Sequence, residues 1–350
     1  MCPEALSALS ACEGGYAIGY GDDDETARAV AAFRALFGAD TGVFFVATGT
    51  AANTLAVAAM TEPWQRVVCH QYSHWADDES TAPERVTLCR TTALASRADP
   101  TKLAPEDLKD IFTAGRRDVH SPAPGVLTLT NPTELGTVYT PAETRALCEL
   151  AHAHGYRVHV DGARFANAVA TVSARAGLDP GATCRALTVD AGVDALSFGG
   201  TKNGLAFGEA VLFFPQVKTP DVARAITRFP YLRKSTGHLL SKHRFVSAPF
   251  ARVLDGARAP WLAHASRANA MARRLVRGLE RQGLEPQFVC EANGVFIRFA
   301  PALDQALRAQ GYAYYPFESP RGPVARLMCS FNTPESAVDG LLVAIERASA

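Results

Sequence analysis

From about residue 24 to about residue 215 helical and strand patterns alternate along the chain, and this alternation restricts the fold more than any other feature. Ala29, Phe33, Leu36 and Phe37 recur at helical spacing within 25–37, behind the capping candidates Asp22 to Asp24 and ahead of Gly38 as a stop. Gly42-Val43-Phe44-Phe45-Val46 has the unbroken apolar character of a buried strand, and a helix is predicted to follow it from Ala51 to Met60. Further strands are predicted near 66–69, 86–89, 126–130, 157–160, 195–198 and 210–214, with helices between some of them, as at 142–153. Such a succession predicts an α/β fold with a mostly parallel sheet covered on both faces. After Pro220 the pattern changes. Long helices are expected near 237–255 and 262–282, then strands around Phe288, 294–299, 312–315 and 325–330, and a closing helix near 334–347. That segregation predicts a smaller α+β lobe and divides the chain into a large unit over 1–250 and a small one over 251–350.

Composition narrows the function classes. The 35 basic residues balance the 35 acidic ones, so nothing favours nucleic acid or an anionic membrane as the main partner. No apolar run approaches the roughly 20 residues that a membrane helix needs. The start, Met1-Cys2-Pro3-Glu4, lacks the basic and apolar regions of a secretory signal. Eight cysteines stand singly, without CxxC spacing, which is expected of reduced thiols in a cytoplasmic protein rather than of a zinc site.

Four segments carry candidate chemistry. Ser197-Phe198-Gly199-Gly200-Thr201-Lys202-Asn203-Gly204 brings a lysine out of a buried strand into a glycine-rich turn. A surface loop is the ordinary place for a lysine. This setting also suits a Schiff-base lysine, which needs partial desolvation and a path free of side chains. His159-Val160-Asp161-Gly162-Ala163-Arg164 ends a predicted strand, where open α/β sheets bind ligands. Asp161 there could cap the next helix, or pair with the protonated ring nitrogen of pyridoxal 5′-phosphate (PLP) and keep that ring an electron sink. Thr48-Gly49-Thr50-Ala51-Ala52-Asn53 joins a strand to a helix and offers free amides to a phosphate, or is a plain turn. It matches neither GxGxxG nor the Walker A pattern. Within Tyr72-Ser73-His74-Trp75, His74 is either structural or stacks on a planar cofactor. His152 and His154 lie two apart on a predicted helix and point apart, so no metal cluster with His159 is read from them.

Together these segments resemble the threonine aldolase and β-eliminating lyase family of PLP enzymes, and most of all its bacterial low-specificity threonine aldolase and phenylserine aldolase branch. The resemblance extends over nearly the whole chain. It takes in Gly19-Tyr20-Gly21-Asp22-Asp23, Thr133-Glu134-Leu135-Gly136-Thr137-Val138-Tyr139 and Arg326-Leu327-Met328-Cys329-Ser330-Phe331-Asn332-Thr333 as well. It implies fold type I (aspartate aminotransferase-like) and cleavage of L-3-hydroxy-α-amino acids to glycine and an aldehyde. β-Elimination, racemisation, transaldolation or PLP binding with little catalysis are the alternatives. Lys202 then carries PLP, with Thr201 beside it. Asp161 holds the ring nitrogen, His74 stacks on the ring, and Gly49 and Thr50 take the phosphate. Arg164, Arg326 and Tyr20 are the expected substrate contacts. Arg233 and Lys234 are expected to reach the cofactor of a neighbouring subunit in a homodimer or homotetramer. Many family members carry a second histidine, a proposed base, in the segment matching Asn131-Pro132-Thr133-Glu134. Glu134 occupies that place here, so His74, Glu134 and water are all base candidates. The family usually opens with a Ser-Asp-rich strand, and Met1 is expected to lie just after it.

Overall fold

The computed structural model describes residues 1–113, 118–256 and 260–349. Seven strands build the main sheet: β1 (Gly42–Val46), β2 (Gln65–His70), β3 (Arg90–Leu94), β4 (Ala123–Thr130), β5 (Arg157–Gly162), β6 (Ala195–Gly199) and β7 (Glu209–Phe213). Their order is β1-β7-β6-β5-β4-β2-β3, and β7 alone runs against the other six. Strands β8 (Gly294–Ile297), β9 (Tyr315–Phe317) and β10 (Val324–Met328) make a second, antiparallel sheet with β10 in the middle.

Local chemistry explains the covering helices. Asp23 caps the helix Asp24–Phe37 by accepting the Thr26 amide at 2.8 Å, and Gly38 ends it at a φ of 118°. Its buried Phe33 meets the rings of Phe45, Phe198 and Phe250 at centroid distances of 6.0, 5.1 and 5.5 Å, which ties the helix to β1 and β6. The helix Gly49–Met60 is buried from Ala51 onward, and its alanines let it lie close under the sheet. The helix Pro260–Arg281 serves two cores. Trp261 and Ala265 belong to the core of the main sheet, whereas Met271, Ala272, Leu275 and Leu279 pack under the second sheet.

Four expectations are corrected. Residues 86–89 are not a strand: a helix covers Ala82–Thr87, Leu88 takes a left-handed φ of 59°, and pairing starts only at Arg90. The helix expected over 237–255 is shorter, Arg244–Val253, and a further helix that the sequence did not predict, Pro220–Ser235, precedes it. Pro220 starts its helix, since proline suits the first turn, where its missing N–H costs nothing. The strand expected at 312–315 is displaced to Tyr315–Phe317, and Phe288 lies outside any strand.

All eight cysteines are free, and no helix among the described residues is long and apolar enough to cross a membrane. Where β5 and β6 end, the chain is crowded: a Cβ on Gly199 would stand 2.1 Å from the Ala163 carbonyl oxygen. Gly199→Ala is expected to destabilise the protein by about 1–3 kcal/mol in urea unfolding. Gly14→Ala, where a Cβ meets nothing within 4 Å, is expected to change it little.

Candidate active site

The parallel strands β4, β5 and β6 place Thr130, Asp161 and Ser197 side by side near their carboxyl ends. Asp161 is only 4 % exposed. One carboxylate oxygen accepts the Ala163 amide at 2.9 Å and the other accepts Asn53 Nδ2 at 2.8 Å. No cation among the described residues stands within ion-pair distance of it. Nor does Asp161 cap the following helix, which begins at Phe165 with Arg164 at its N-cap. Two residues back, His159 is fully buried and bonds Thr128 Oγ1 at 2.8 Å and Ser197 Oγ at 2.9 Å. Burial pushes its pKa down to about 4, so this imidazole is a neutral strut between the strands.

Asn53 extends the network. Its amide nitrogen also donates to Glu79 Oε1 at 2.7 Å, and the same Glu79 oxygen bonds His74 Nδ1 at 2.8 Å. Burial raises the pKa of Glu79. Burial opposes the charged form of His74, but the Glu79 hydrogen bond and the charges of Asp161, Glu79 and Glu134 outweigh it and raise the imidazole pKa. His74, Glu79 and Asp161 bring their ligand atoms within 4.8 Å of one another, as a metal site would. The Asn53 amide donates into that gap from between the carboxylates, so the centre holds a hydrogen-bond donor where a cation would need acceptors.

Lys202 stands in the single turn Thr201–Asn203. The like charge of Arg164 is the main cause that lowers its pKa, with burial second; Glu134, Asp161 and Glu209 pull the other way. Arg164 is itself lowered by burial. Glu134, 7 % exposed, sits between two guanidinium groups, with its Oε2 4.0 Å from Arg164 Nη1 and 3.5 Å from Arg326 Nη2. Arg326 comes from β10 of the second sheet, lies over the Phe317 ring at 5.6 Å, and keeps a buried Nε without an acceptor. Gly49 and Thr50 form the first turn of the helix that carries Asn53, and a Cβ on Gly49 would meet nothing within 4 Å. Thr48 caps that helix through the Ala51 amide at 3.3 Å.

The remaining predicted residues form a second group. Arg233 Nη1 donates to the Phe45 carbonyl at 3.3 Å and contacts His243 Nε2 at 3.3 Å, and burial lowers its pKa to about 10. Lys234 Nζ lies 4.8 Å over the Tyr20 ring, and the Tyr20 amide donates to Ser241 O at 2.9 Å. Among the described residues these three make no hydrogen bond or ion pair with Lys202, Arg164 or Arg326. Thr201 is exposed, and its side chain acts to lower the Glu209 pKa.

Sequence reasoning gave no role to Asn53, Glu79 or Glu209. The signals were present: Asn53 is polar within an alanine-rich buried run, Glu79 closes an acidic run five residues after His74, and Glu209 opens an otherwise apolar strand.

A family model described as beta-eliminating lyase matches residues 1–301. The chain belongs to that family. It is 41 % identical over 340 residues to a low specificity L-threonine aldolase of a Pseudomonas species, a match covering 97 % of this chain and 92 % of that one. A protein of the same description from Pseudomonas aeruginosa is 42 % identical over 335 residues, covering 95 % and 90 %. The structure of Leishmania major threonine aldolase superposes with a TM-score of 0.84 at 25 % identity, covering 100 % of this chain and 97 % of that one. The fold of this lyase is therefore type I, as the sequence implied.

The His74–Glu79 contact makes a direct prediction. Glu79→Gln removes the anion that favours protonated His74, so the imidazole pKa should fall by ~1 unit in an NMR titration. An unmoved titration would separate the two groups.

Proposed function

We propose that this lyase uses PLP held by Lys202 to cleave L-3-hydroxy-α-amino acids of the threonine, allo-threonine or phenylserine type into glycine and an aldehyde. The observation that carries the reading is Asp161. A buried carboxylate is costly unless a cation meets it, and Asp161 is fixed on both oxygens yet has no cation of its own. A protonated pyridine nitrogen fits that need. The rest of the cofactor finds matching groups. The open space at Gly49 and the amides of Gly49 and Thr50 at a helix N-terminus suit a phosphate, and His74 suits the ring face. Lys202, with its lowered pKa and Thr201 alongside, suits the covalent link. When bound, PLP supplies a sink for the electrons left at Cα when a bond to it breaks. The names of the Pseudomonas and Leishmania relatives point to the same substrate class.

The chain's own residues do the positioning and the proton transfer. Arg164 and Arg326 set two positive charges against the single Glu134, so an incoming carboxylate meets a net cation and the unpartnered Nε of Arg326. Gripping the carboxylate fixes the bonds at Cα in one orientation, which is where orientation catalysis acts. His74 receives the proton of the β-hydroxyl. Its Nδ1 is bound to Glu79, which leaves Nε2 to accept and lets Glu79 steady the charged ring. Glu134 is committed to the two arginines and is not needed as the base. Such a base is worth roughly 10²–10⁴-fold.

The same reading includes an assembly of at least two copies, in which Arg233 and Lys234 reach the neighbour's cofactor phosphate. Neither cation has an acidic partner within its own chain among the described residues. It also keeps the division at residue 250, with Pro260–Arg281 as the helix that joins the two units.

Purified protein is expected to release glycine from at least one of threonine, allo-threonine and phenylserine, and borohydride with PLP should label Lys202. Asp161→Asn should retain PLP while losing most turnover; near-normal turnover would return Asp161 to a structural role. Mixing Lys202→Ala subunits with subunits neutralised at Arg233 and Lys234 should recover activity above either parent. No recovery in proven hybrids would refute the shared site.

A further inference from the structure

The geometry points to Glu209 as a positioning residue for Lys202, anchoring the turn that presents the amine and setting a negative charge beside it. The inference rests on the reading of Lys202 as the cofactor lysine. Glu209 opens β7 directly opposite Gly199, the last residue of β6. It is 7 % exposed, and its Oε2 accepts the Gly200 amide at 2.6 Å. The Thr201 side chain helps to hold the pKa of the same carboxylate down. On its other side Gly200 is held too, because its carbonyl accepts the amides of Asn203 at 3.0 Å and Leu205 at 3.2 Å. A Cβ on Gly200 would stand 2.6 Å from both Gly208 O and the Phe250 ring, so this peptide has no room to shift. Lys202 follows two residues later. Its backbone is thus fixed by a carboxylate from the next strand and not by its own side chain.

Charge supports the same assignment. The groups that act on the Lys202 amine are Arg164, Glu134, Asp161 and Glu209. Glu134 is bound to two arginines and Asp161 to Asn53 and the Ala163 amide. Of the three carboxylates, Glu209 alone is hydrogen-bonded to the lysine's own turn. It has no ion-pair partner among the described residues. Burial raises its pKa to about 7, with Thr201, the Gly200 amide and Lys202 opposing and Asp161 adding to the rise. The charge of Glu209 bears directly on how readily Lys202 gives up its proton.

The test compares full-length wild type, Glu209→Gln and Glu209→Ala, each first confirmed folded by circular dichroism and melting. Gln keeps an acceptor for the Gly200 amide but not the charge; Ala keeps neither. With bound PLP released by hydroxylamine, the pH dependence of Lys202 acetylation is read by peptide mapping. The Glu209→Gln midpoint is expected to fall by ~1 pH unit, giving about tenfold faster acetylation below the midpoint. Glu209→Ala is expected in addition to take up PLP about tenfold more slowly than Glu209→Gln, from loss of the charged hydrogen bond. A folded Gln variant with an unchanged midpoint overturns the proposal, and if Ala fails to fold the Gln variant decides alone. Borohydride labelling of wild type with PLP is run in parallel. A label on another lysine would sink the reading of Lys202 as the cofactor residue, while the acetylation midpoint still decides whether Glu209 governs Lys202.

Discussion

Between the carboxyl ends of β5 and β6 the backbone leaves no space for side chains. A Cβ on Gly162 would lie 2.8 Å from Ser197 O, and one on Gly199 would lie 2.1 Å from Ala163 O. This contact brings the turn after Asp161 against the turn before Lys202, so an acid on one strand and an amine just past the end of the next share one environment. Burying Asp161 there requires donors. The Ala163 amide supplies one from the same turn, and Asn53 supplies the other from the helix Gly49–Met60. That helix can lie close enough because its buried face is largely alanine. One close approach thus dictates a carboxylate, the amide that satisfies it, and the composition of the helix that carries the amide.

Charge around Lys202 is balanced rather than neutralised. Arg164 and burial favour the neutral amine, and three carboxylates favour the ammonium. A lysine that must react with a carbonyl needs its lone pair, and a like charge close by is one of the known ways to expose it. Arg164 also faces Glu134, which Arg326 shares, so in the proposed function the same guanidinium would both tune the amine and contribute to the carboxylate grip. The two roles are coupled. In the proposed function, an anionic substrate on the arginines would offset the positive charge that holds the Lys202 pKa down, and the proton affinity of the amine would rise.

Much of this arrangement is legible in the sequence, and the parts that are not share a cause. The core strands declare themselves because each is a short apolar run between turn residues; β1 has the predicted limits, and β5 and β6 differ from prediction by one or two residues. Lys202 and Asp161 stand out because a charge follows a buried strand. Residues 86–89 misled because Val86, Leu88 and Cys89 look like a strand, whereas Pro83 starts a helix and the left-handed Leu88 stops it. The helix Pro220–Ser235 was hidden by its two prolines, one at the start and Pro230 inside. Asn53, Glu79 and Glu209 stand out as residue types in the sequence, but their roles were hidden for another reason. Their importance lies in partners 26, 108, five and nine residues away, and a single sequence does not display such pairings.

The place of Arg326, proposed to grip the substrate carboxylate, depends on how the second sheet is held against the first, and Glu291 takes part in holding it. Its carboxylate accepts the Val138 amide at 2.7 Å and pairs with Arg175 at 2.6 Å, while its own amide donates to Gly136 O at 3.0 Å. Its carbonyl takes the Thr171 hydroxyl at 2.5 Å. Every one of these contacts lands on the Thr133–Tyr139 segment that presents Glu134 or on the helix that follows Arg164. Two residues on, Asn293 binds Cys329 through both side chain and backbone, at 2.7 and 2.9 Å, just beyond the end of β10. The chain from Glu291 to Asn293 therefore fixes Arg326 relative to Glu134 and Arg164 through covalent continuity and hydrogen bonds. A site assembled from two sheets needs such a brace, because an error of about 1 Å in a charged grip can cost about 10²-fold in rate.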